Sequence, residues 1–591
     1  MGHTGPMVAR YAFAIALAAV TIGLYLPVRD HSFVDEFDDR FYVTGNVHVM
    51  EGLTPTNVGW ALVTAEAYIW HPITWLSYLV DSELYGTDRA GPWLLTNVAI
   101  HVTNTLLVFF VLLALTAPRG DSRAPEHDAS GRLVACALAS ALFALHPIQV
   151  EPVAWVSGRK DLLAAAFLLL TLLAYNAWVR RGGPARYALT LLAMILCGMS
   201  KGSHVGLPFL LLLLDYWPLG RLCLEGDGSL WSRIEPLVRE KLPFFMIPLV
   251  TVTLNADLVS RTGISWGTDP PLLTRVGNAI VNLAVYLGRL SWPTDLAIVY
   301  PSPMHAFIPP WPLTHIAAAF ALIALITLLV ARSRWAQGAL VVGWFWFLGM
   351  LLPMVGLIPV GLRIAHDRYA YVPMIGLSLA VAFGLRAVAG ESRARQASAL
   401  FVAAVVLVMC GVTTSQQIAV WRDEITLFDH TLRVTEDNAI VHYNKGNALA
   451  RRGERDQALA EFAAAVRMYP EYAQANHNMG YLLVMMGETE RGTTYLKRAV
   501  EIRPGWTKAL INLGAAQRKS GDLAAAVATL TAAIESSTGS ANAHVELATA
   551  LVQVGRRSDA AESLRAALRI DPNHRRARWE LTRLEASDGV R

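Results

Sequence analysis

Residues 11–43 read "YAFAIALAAVTIGLYLPVRDHSFVDEFDDRFYV". The stretch 11–28 carries no charge and approaches the roughly 20 apolar residues that a membrane-crossing helix needs. Directly after it, Asp35, Glu36, Asp38 and Asp39 place four carboxylates within five positions. Arg10 precedes the run and no small-residue cleavage site follows, so it reads as a retained signal anchor. Carboxylates crowded against a membrane helix are either a solvated loop or part of a site. The rest of the sequence has to decide between these.

Composition extends the membrane reading. The chain has 591 residues, 54% hydrophobic and 16% charged, with a mean hydropathy of +0.39. Soluble domains carry more charge. A formal net charge of +4 is too small to point to nucleic acid. Cys136, Cys197 and Cys410 lie in apolar runs and Cys223 in an Arg-bearing loop. None has zinc-ligand spacing or suggests a disulfide framework.

Apolar runs fall near 9–27, 93–117, 132–147, 161–179, 187–200, 205–219, 242–259, 313–331, 336–359, 371–389 and 397–414, predicting about eleven transmembrane helices. Arginine and lysine gather in five connecting loops, marked by Arg119, Arg180, Arg221, Arg332 and Arg386. All five fall on one side, which is cytoplasmic by the positive-inside rule. The acidic loop and the C-terminal region then lie outside. Residues 275–293 are apolar but interrupted by Asn278, Asn282 and Arg289. They read as an interfacial or re-entrant helix, not a twelfth span.

After residue 415 a period of 34 takes over. Gly446, Gly480 and Gly514 share this step with Ala548, and Gly453, Gly487, Gly521 and Gly555 repeat it. Ala465, Ala499, Ala533 and Ala567 follow, and Pro470, Pro504 and Pro572 miss only at Thr538. Small residues let paired helices approach, glycine permits the turn, and proline stops the second helix. This is a tetratricopeptide array with units 439–472, 473–506, 507–540 and 541–574. A connecting helix (416–438) precedes it and a capping helix around "RRARWELTRLEA" ends it. The array occupies 439–591 and the membrane domain 1–415. The fold class is all-α, and the concave face of such an array binds peptides or partner proteins.

The outward loops hold ionisable groups that are costly beside a bilayer unless they have a task or a partner. Carboxylates collect in the first loop. Cations collect in later ones, at Arg159, Lys160, Lys201, Arg363 and Arg368. This segregation fits a lipid phosphate held by cations, with a carboxylate opposite to deprotonate an acceptor hydroxyl. Internal neutralisation, as between Asp367 and Arg368, is the plain alternative. His71 and His146 precede prolines at helix ends, and His101, His204 and His366 complete the outward set. No HxxxH or HExxH occurs, so a zinc site is not expected. A Gly-rich phosphate loop, GxSxG and a dinucleotide fingerprint are also missing.

Several stretches then carry a family resemblance. "FDDRFYVTGNVHV", "WHPITWLSYLVDSELYG", "LLTNVAIHVTNTLL", "ALFALHPIQVEPVAWVSGRKDLLAAAFLLLTLLAY", "LPFLLLLLDYWPLGR" and "HDRYAYVPMIGL" resemble bacterial membrane proteins with C-terminal tetratricopeptide repeats. Those are similar to the eukaryotic transmembrane tetratricopeptide O-mannosyltransferases of the GT-C class. The resemblance implies sugar transfer from a polyprenyl-phosphate donor on the outer face. Its paired aspartate aligns with Asp38 and Asp39, and its "GRKD" and "DRY" positions with Arg159, Lys160, Asp161, Asp367, Arg368 and Tyr369. Two places depart from the family pattern: Gly158 stands where many bacterial relatives have Glu, and Gly202–Ser203 replace Pro–Met ahead of His204.

The expectation is an inverting, O-mannosyltransferase-like enzyme moving mannose or a similar hexose to a protein or glycan hydroxyl. Asp39 or Asp38 is the base, with Asp39 slightly preferred. Arg159, Lys160, Lys201, His204, Arg363 and Arg368 face the donor's phosphate or sugar. Asp35, Glu36, His71, His146, Glu151, Asp161, His366, Asp367 and Tyr369 support them. Several cations on one phosphate leave a divalent metal less to do, so none is assigned. The competing reading is a non-catalytic membrane scaffold presenting the repeats to an envelope assembly; a transporter is a weaker third.

Overall fold

The computed structural model describes residues 5–118, 126–222, 229–261, 271–301, 310–333, 337–357 and 366–588. The described residues are helical throughout, without a strand. They form two compact units, 1–436 and 437–591.

In the first unit, five helices are long and apolar enough to cross a membrane: Met7–Asp30, Ala90–Leu115, Val156–Arg181, Leu313–Arg332 and Arg393–Val420. A sixth is a pair, Ala129–Leu145 and Pro147–Ala154, bent by 55°. Proline explains the break, because it lacks the N–H that would continue the helix and forces the preceding residue out of helical geometry. His146 is accordingly extended (φ −77°, ψ 134°) and its ring caps the next turn by accepting from the Ile148 N–H. Five further apolar helices of this unit are shorter, from Pro184–Ser200 to Pro373–Ala389. Among the described residues, helices of spanning length thus number five, or six with the bent pair, beside the eleven apolar runs of the sequence. Residues 275–293 fall largely in a separate helix, Leu272–Ser291, which buries Asn278 and Asn282.

Small residues set the helix contacts. A Cβ on Gly343 would lie 2.4 Å from the Gly376 carbonyl, and one on Gly376 2.5 Å from that of Gly343. Helices Gln337–Leu351 and Pro373–Ala389 thus touch backbone to backbone. Outward surfaces stay apolar, with Phe320 and Phe401 both exposed, as a lipid-facing surface requires. The connecting segment is divided. Its first residues finish Arg393–Val420, and Glu424–Val434 follows within the first unit, where the His430 ring bonds the Leu296 carbonyl at 3.0 Å.

The second unit pairs helices in register, from Ala439–Arg451 with Arg455–Met468 to Ala541–Val554 with Arg557–Ile570, and ends on Arg575–Asp588. The two glycine series separate by role. Gly453, Gly487, Gly521 and Gly555 have φ of 81°, 93°, 88° and 85°, the left-handed turn that only glycine adopts without strain. Gly480 instead faces the partner helix, where a Cβ would sit 2.7 Å from the Gly492 carbonyl oxygen and 2.9 Å from Leu496. Gly480→Ala should therefore destabilise the repeats by about 1–3 kcal/mol through overpacking. Scanning calorimetry should show the repeat transition several degrees lower; an unchanged midpoint would contradict this packing.

Candidate functional site

The acidic stretch after the first helix folds as a wide, π-type turn, Asp35–Thr44. Its two central aspartates do different things. Asp39 is 1% exposed. Its Oδ1 accepts from both the backbone N–H and the hydroxyl of Ser157, at 3.0 and 2.5 Å, and its Oδ2 accepts from the Val34 N–H at 2.8 Å. Asp38 has a side chain 32% exposed, with Oδ2 3.6 Å from the Lys160 ammonium. One carboxylate is built in and the other is presented. Of their neighbours, Asp35 accepts from the Thr44 hydroxyl at 2.6 Å, and Glu36 is half-buried on the same turn.

Lys160 and Asp161 open the helix Arg159–Arg181. The chain can turn sharply into it because residue 158 is glycine: a Cβ there would lie 2.5 Å from the Pro152 carbonyl oxygen. Lys160 lies over the Tyr42 ring at 4.4 Å and the Trp155 ring at 5.1 Å. Arg368, from the short turn Asp367–Ala370, lies over Trp155 at 4.9 Å and Tyr369 at 5.2 Å. Lys201 lies over Tyr369 at 5.2 Å and pairs with Asp161. Glu151 holds Arg368 twice, through a guanidinium ion pair and a backbone N–H bond of 3.0 Å. The break at Pro147 delivers Glu151 to this place. Lys160, Lys201 and Arg368 thus gather around three aromatic rings, Tyr42, Trp155 and Tyr369, with Asp38, Asp161 and Glu151 as their carboxylates. A pocket beside them is lined by Asp161, His204, Met350, Met354, Arg368 and Tyr369, among others.

Other predicted residues fall elsewhere. Arg159 is wholly buried and its guanidinium is occupied by Asp81 (2.6 Å), Asn97 (2.8 Å) and the Trp93 carbonyl (2.8 Å). A further contact from Nη1 to the Ser77 carbonyl at 3.4 Å adds to this brace between helices. Arg363 lies outside the described residues. Asp367 turns away to Tyr300 (2.9 Å) and Arg289 (3.5 Å). His146 donates from Nε2 to the Leu290 carbonyl at 3.0 Å while its Nδ1 caps Ile148. His366 uses Nδ1 to bond the Ile298 carbonyl at 2.9 Å, with Glu151 3.7 Å away. His71 stacks on Trp75 beside Tyr42; burial, aided by the Lys160 charge, pushes its pKa down to about 3, so it stays neutral. Sequence reasoning missed Tyr42, Trp155 and Ser157. The last two flank the "GRKD" turn, so their position alone was a signal.

Burial pushes the Asp39 carboxyl up to about 7, against the hydrogen bonds from Ser157 and Val34. A carboxyl raised above its unfolded value of about 4 stabilises the fold fully only below that value. The contribution is lost as pH rises through about 7. Melting temperatures of the wild-type protein should fall between about pH 4 and 7 with a slope that Asp39→Asn lacks. Parallel curves for the two proteins would refute this.

Known proteins share these features in part. Family models of the tetratricopeptide repeat match residues 443–505 and 517–584. Protein O-mannosyl-transferase TMTC4 of Homo sapiens is 27% identical over 433 residues, covering 66% of this chain and 56% of the human protein. Protein O-mannosyl-transferase Tmtc3 of Drosophila melanogaster is 26% identical over 463 residues, covering 68% of this chain and 48% of its own length. The chain spans about half the length of the curated relatives it matches. Among solved structures, YrrB, described as a TPR protein with an unusual peptide-binding site, is 26% identical with a TM-score of 0.25, covering 26% of this chain and 79% of YrrB. The chain is a homologue of the TMTC protein O-mannosyl-transferases and carries tetratricopeptide repeats at its C-terminal end.

Proposed function

We propose that this protein is a membrane glycosyltransferase that moves a hexose, mannose or a close relative, from a polyprenyl phosphate to a protein hydroxyl. One observation carries the reading: three cations converge on three aromatic rings, with a partly exposed carboxylate at their edge. A scaffold has no use for such an arrangement. The names of the curated relatives point the same way.

In this reaction the acceptor oxygen attacks the anomeric carbon as the bond from that carbon to the phosphate oxygen breaks. The hydroxyl proton passes to Asp38, and polyprenyl phosphate leaves with the bonding electrons. Lys160, Lys201 and Arg368 stabilise the charge that grows on the leaving phosphate. One displacement inverts the anomeric centre. Asp38 suits the base better than Asp39, whose oxygens are already engaged by Ser157 and Val34. Asp39 is a positioning residue that ties the acidic turn to the start of the Lys160 helix. With three cations on the phosphate, no divalent metal is assigned to the chemistry.

The proposed orientation has the site and the repeats on the extracytoplasmic face of the cytoplasmic membrane. Five long helices and one bent pair are of spanning length; the proposed orientation takes each of the five shorter apolar helices as a crossing too, eleven in all. An odd number places the N-terminus in the cytoplasm when the repeats are external, where they would recruit the acceptor protein.

Asp38→Asn should lower transfer of radiolabelled hexose from a polyprenyl phosphate by at least about 100-fold, the scale of a lost general base, while membrane insertion persists. Wild-type transfer by this variant would remove Asp38 from the mechanism. Gln457 is exposed in the first repeat, so a cysteine placed there should react with an impermeant maleimide added to intact cells. Labelling only after the membrane is opened would reverse the orientation.

A further inference from the structure

Beside the cations, the pocket holds polar atoms with nothing to bond. Asp161 gives one carboxylate oxygen to Lys201, and its Oδ2 is buried without a hydrogen-bond partner. The Nδ1 of His204 is in the same condition, and so is the hydroxyl of the adjacent Ser203. Leaving a buried polar group unmet costs about 1–3 kcal/mol, and such atoms call for an explanation. Asp161 and His204 both line the pocket, while Met350 and Met354 form an apolar part of its wall.

The local backbone holds these groups in place. Residue 202 is glycine, and a Cβ there would lie 2.9 Å from the Thr251 methyl carbon and 3.2 Å from the Asn255 amide. The turn carrying Ser203 and His204 is therefore pressed against helix Leu242–Arg261, and a larger residue at 202 would push it away.

The chemistry of the unmet atoms selects their partner. A carboxylate oxygen can only accept a hydrogen bond and repels an anion. Burial, with the Lys201 charge adding to it, pushes the His204 pKa down to about 4, so the ring is neutral near pH 7 and brings no positive charge. A phosphate oxygen cannot bond the carboxylate, and it satisfies the ring only when Nδ1 carries the proton. A hydroxyl, which donates and accepts, satisfies both whichever ring nitrogen carries the proton. We propose that Asp161 and His204 form a subsite for hydroxyl groups of the donor's sugar, distinct from the cations that face its phosphate. This rests on the transferase reading above and assigns to its pocket a role in choosing the sugar.

Binding to the full-length protein in lipid nanodiscs separates the alternatives, with polyprenyl-phosphate mannose and sugar-free polyprenyl phosphate as probes. Wild type should prefer the sugar-bearing lipid. His204→Ala should weaken its binding about tenfold, the scale of one lost hydrogen bond, and leave the sugar-free lipid unaffected. His204→Gln, which keeps a donor and an acceptor, should recover part of the loss, and melting temperatures check that each variant is folded. An unchanged preference in His204→Ala, or equal losses for both lipids, would overturn the subsite alone. A wild-type protein with no preference for the sugar-bearing lipid would overturn the transferase reading and the subsite with it.

Discussion

Burying three cations close together is the constraint that the site's architecture answers. Lys160, Lys201 and Arg368 are each less than a tenth exposed, and alone they would repel one another in a medium that screens poorly. Each has its own carboxylate, in Asp38, Asp161 and Glu151. Trp155 stands between Lys160 and Arg368, and Tyr369 between Arg368 and Lys201, so that each of these two rings faces two cations, while Tyr42 faces Lys160 alone. Such contacts contribute about 0.5–2 kcal/mol each. Removing one member of a buried ion pair costs about 3–5 kcal/mol, because the other is stranded. The turns that supply these groups are therefore held in mutual register by charge as much as by apolar packing.

The second unit was the most legible part of the chain. Its period of 34 fixes helix pairs, turns and close contacts together, because each repeat meets only its neighbours. Both glycine series had a physical meaning that spacing alone exposed, and the structure separates them into a left-handed turn and a backbone contact. In the first unit, the charged turns that build the site were also visible, since ionisable groups near a bilayer stand out against an apolar background.

Adjacent residues were what the sequence could not separate. Arg159 and Lys160 share one motif, yet on a helix consecutive side chains point about 100° apart. One enters a closed box of Asp81, Asn97 and Trp93, and the other enters the site. Asp38 and Asp39 differ for the same reason. Which of each pair faces inward depends on partners 62 to 118 residues away in the chain, and no local pattern records that. The count of crossings was equally hard to read, since apolar runs of 10–17 residues fall short of a bilayer's thickness taken alone.

The attachment of Asp39 to Ser157 has a dynamic consequence. The acidic turn and the start of the Lys160 helix are joined by two hydrogen bonds to one carboxylate oxygen, and a third to the other oxygen closes the turn on itself. Asp38 is carried by the first element and Lys160 by the second. Thermal motion of the loop therefore moves both as one body, and their 3.6 Å separation is an internal dimension of that body, fixed before any ligand arrives. Under the proposed transfer, no separate closing step is needed to bring the base and this phosphate-facing cation together.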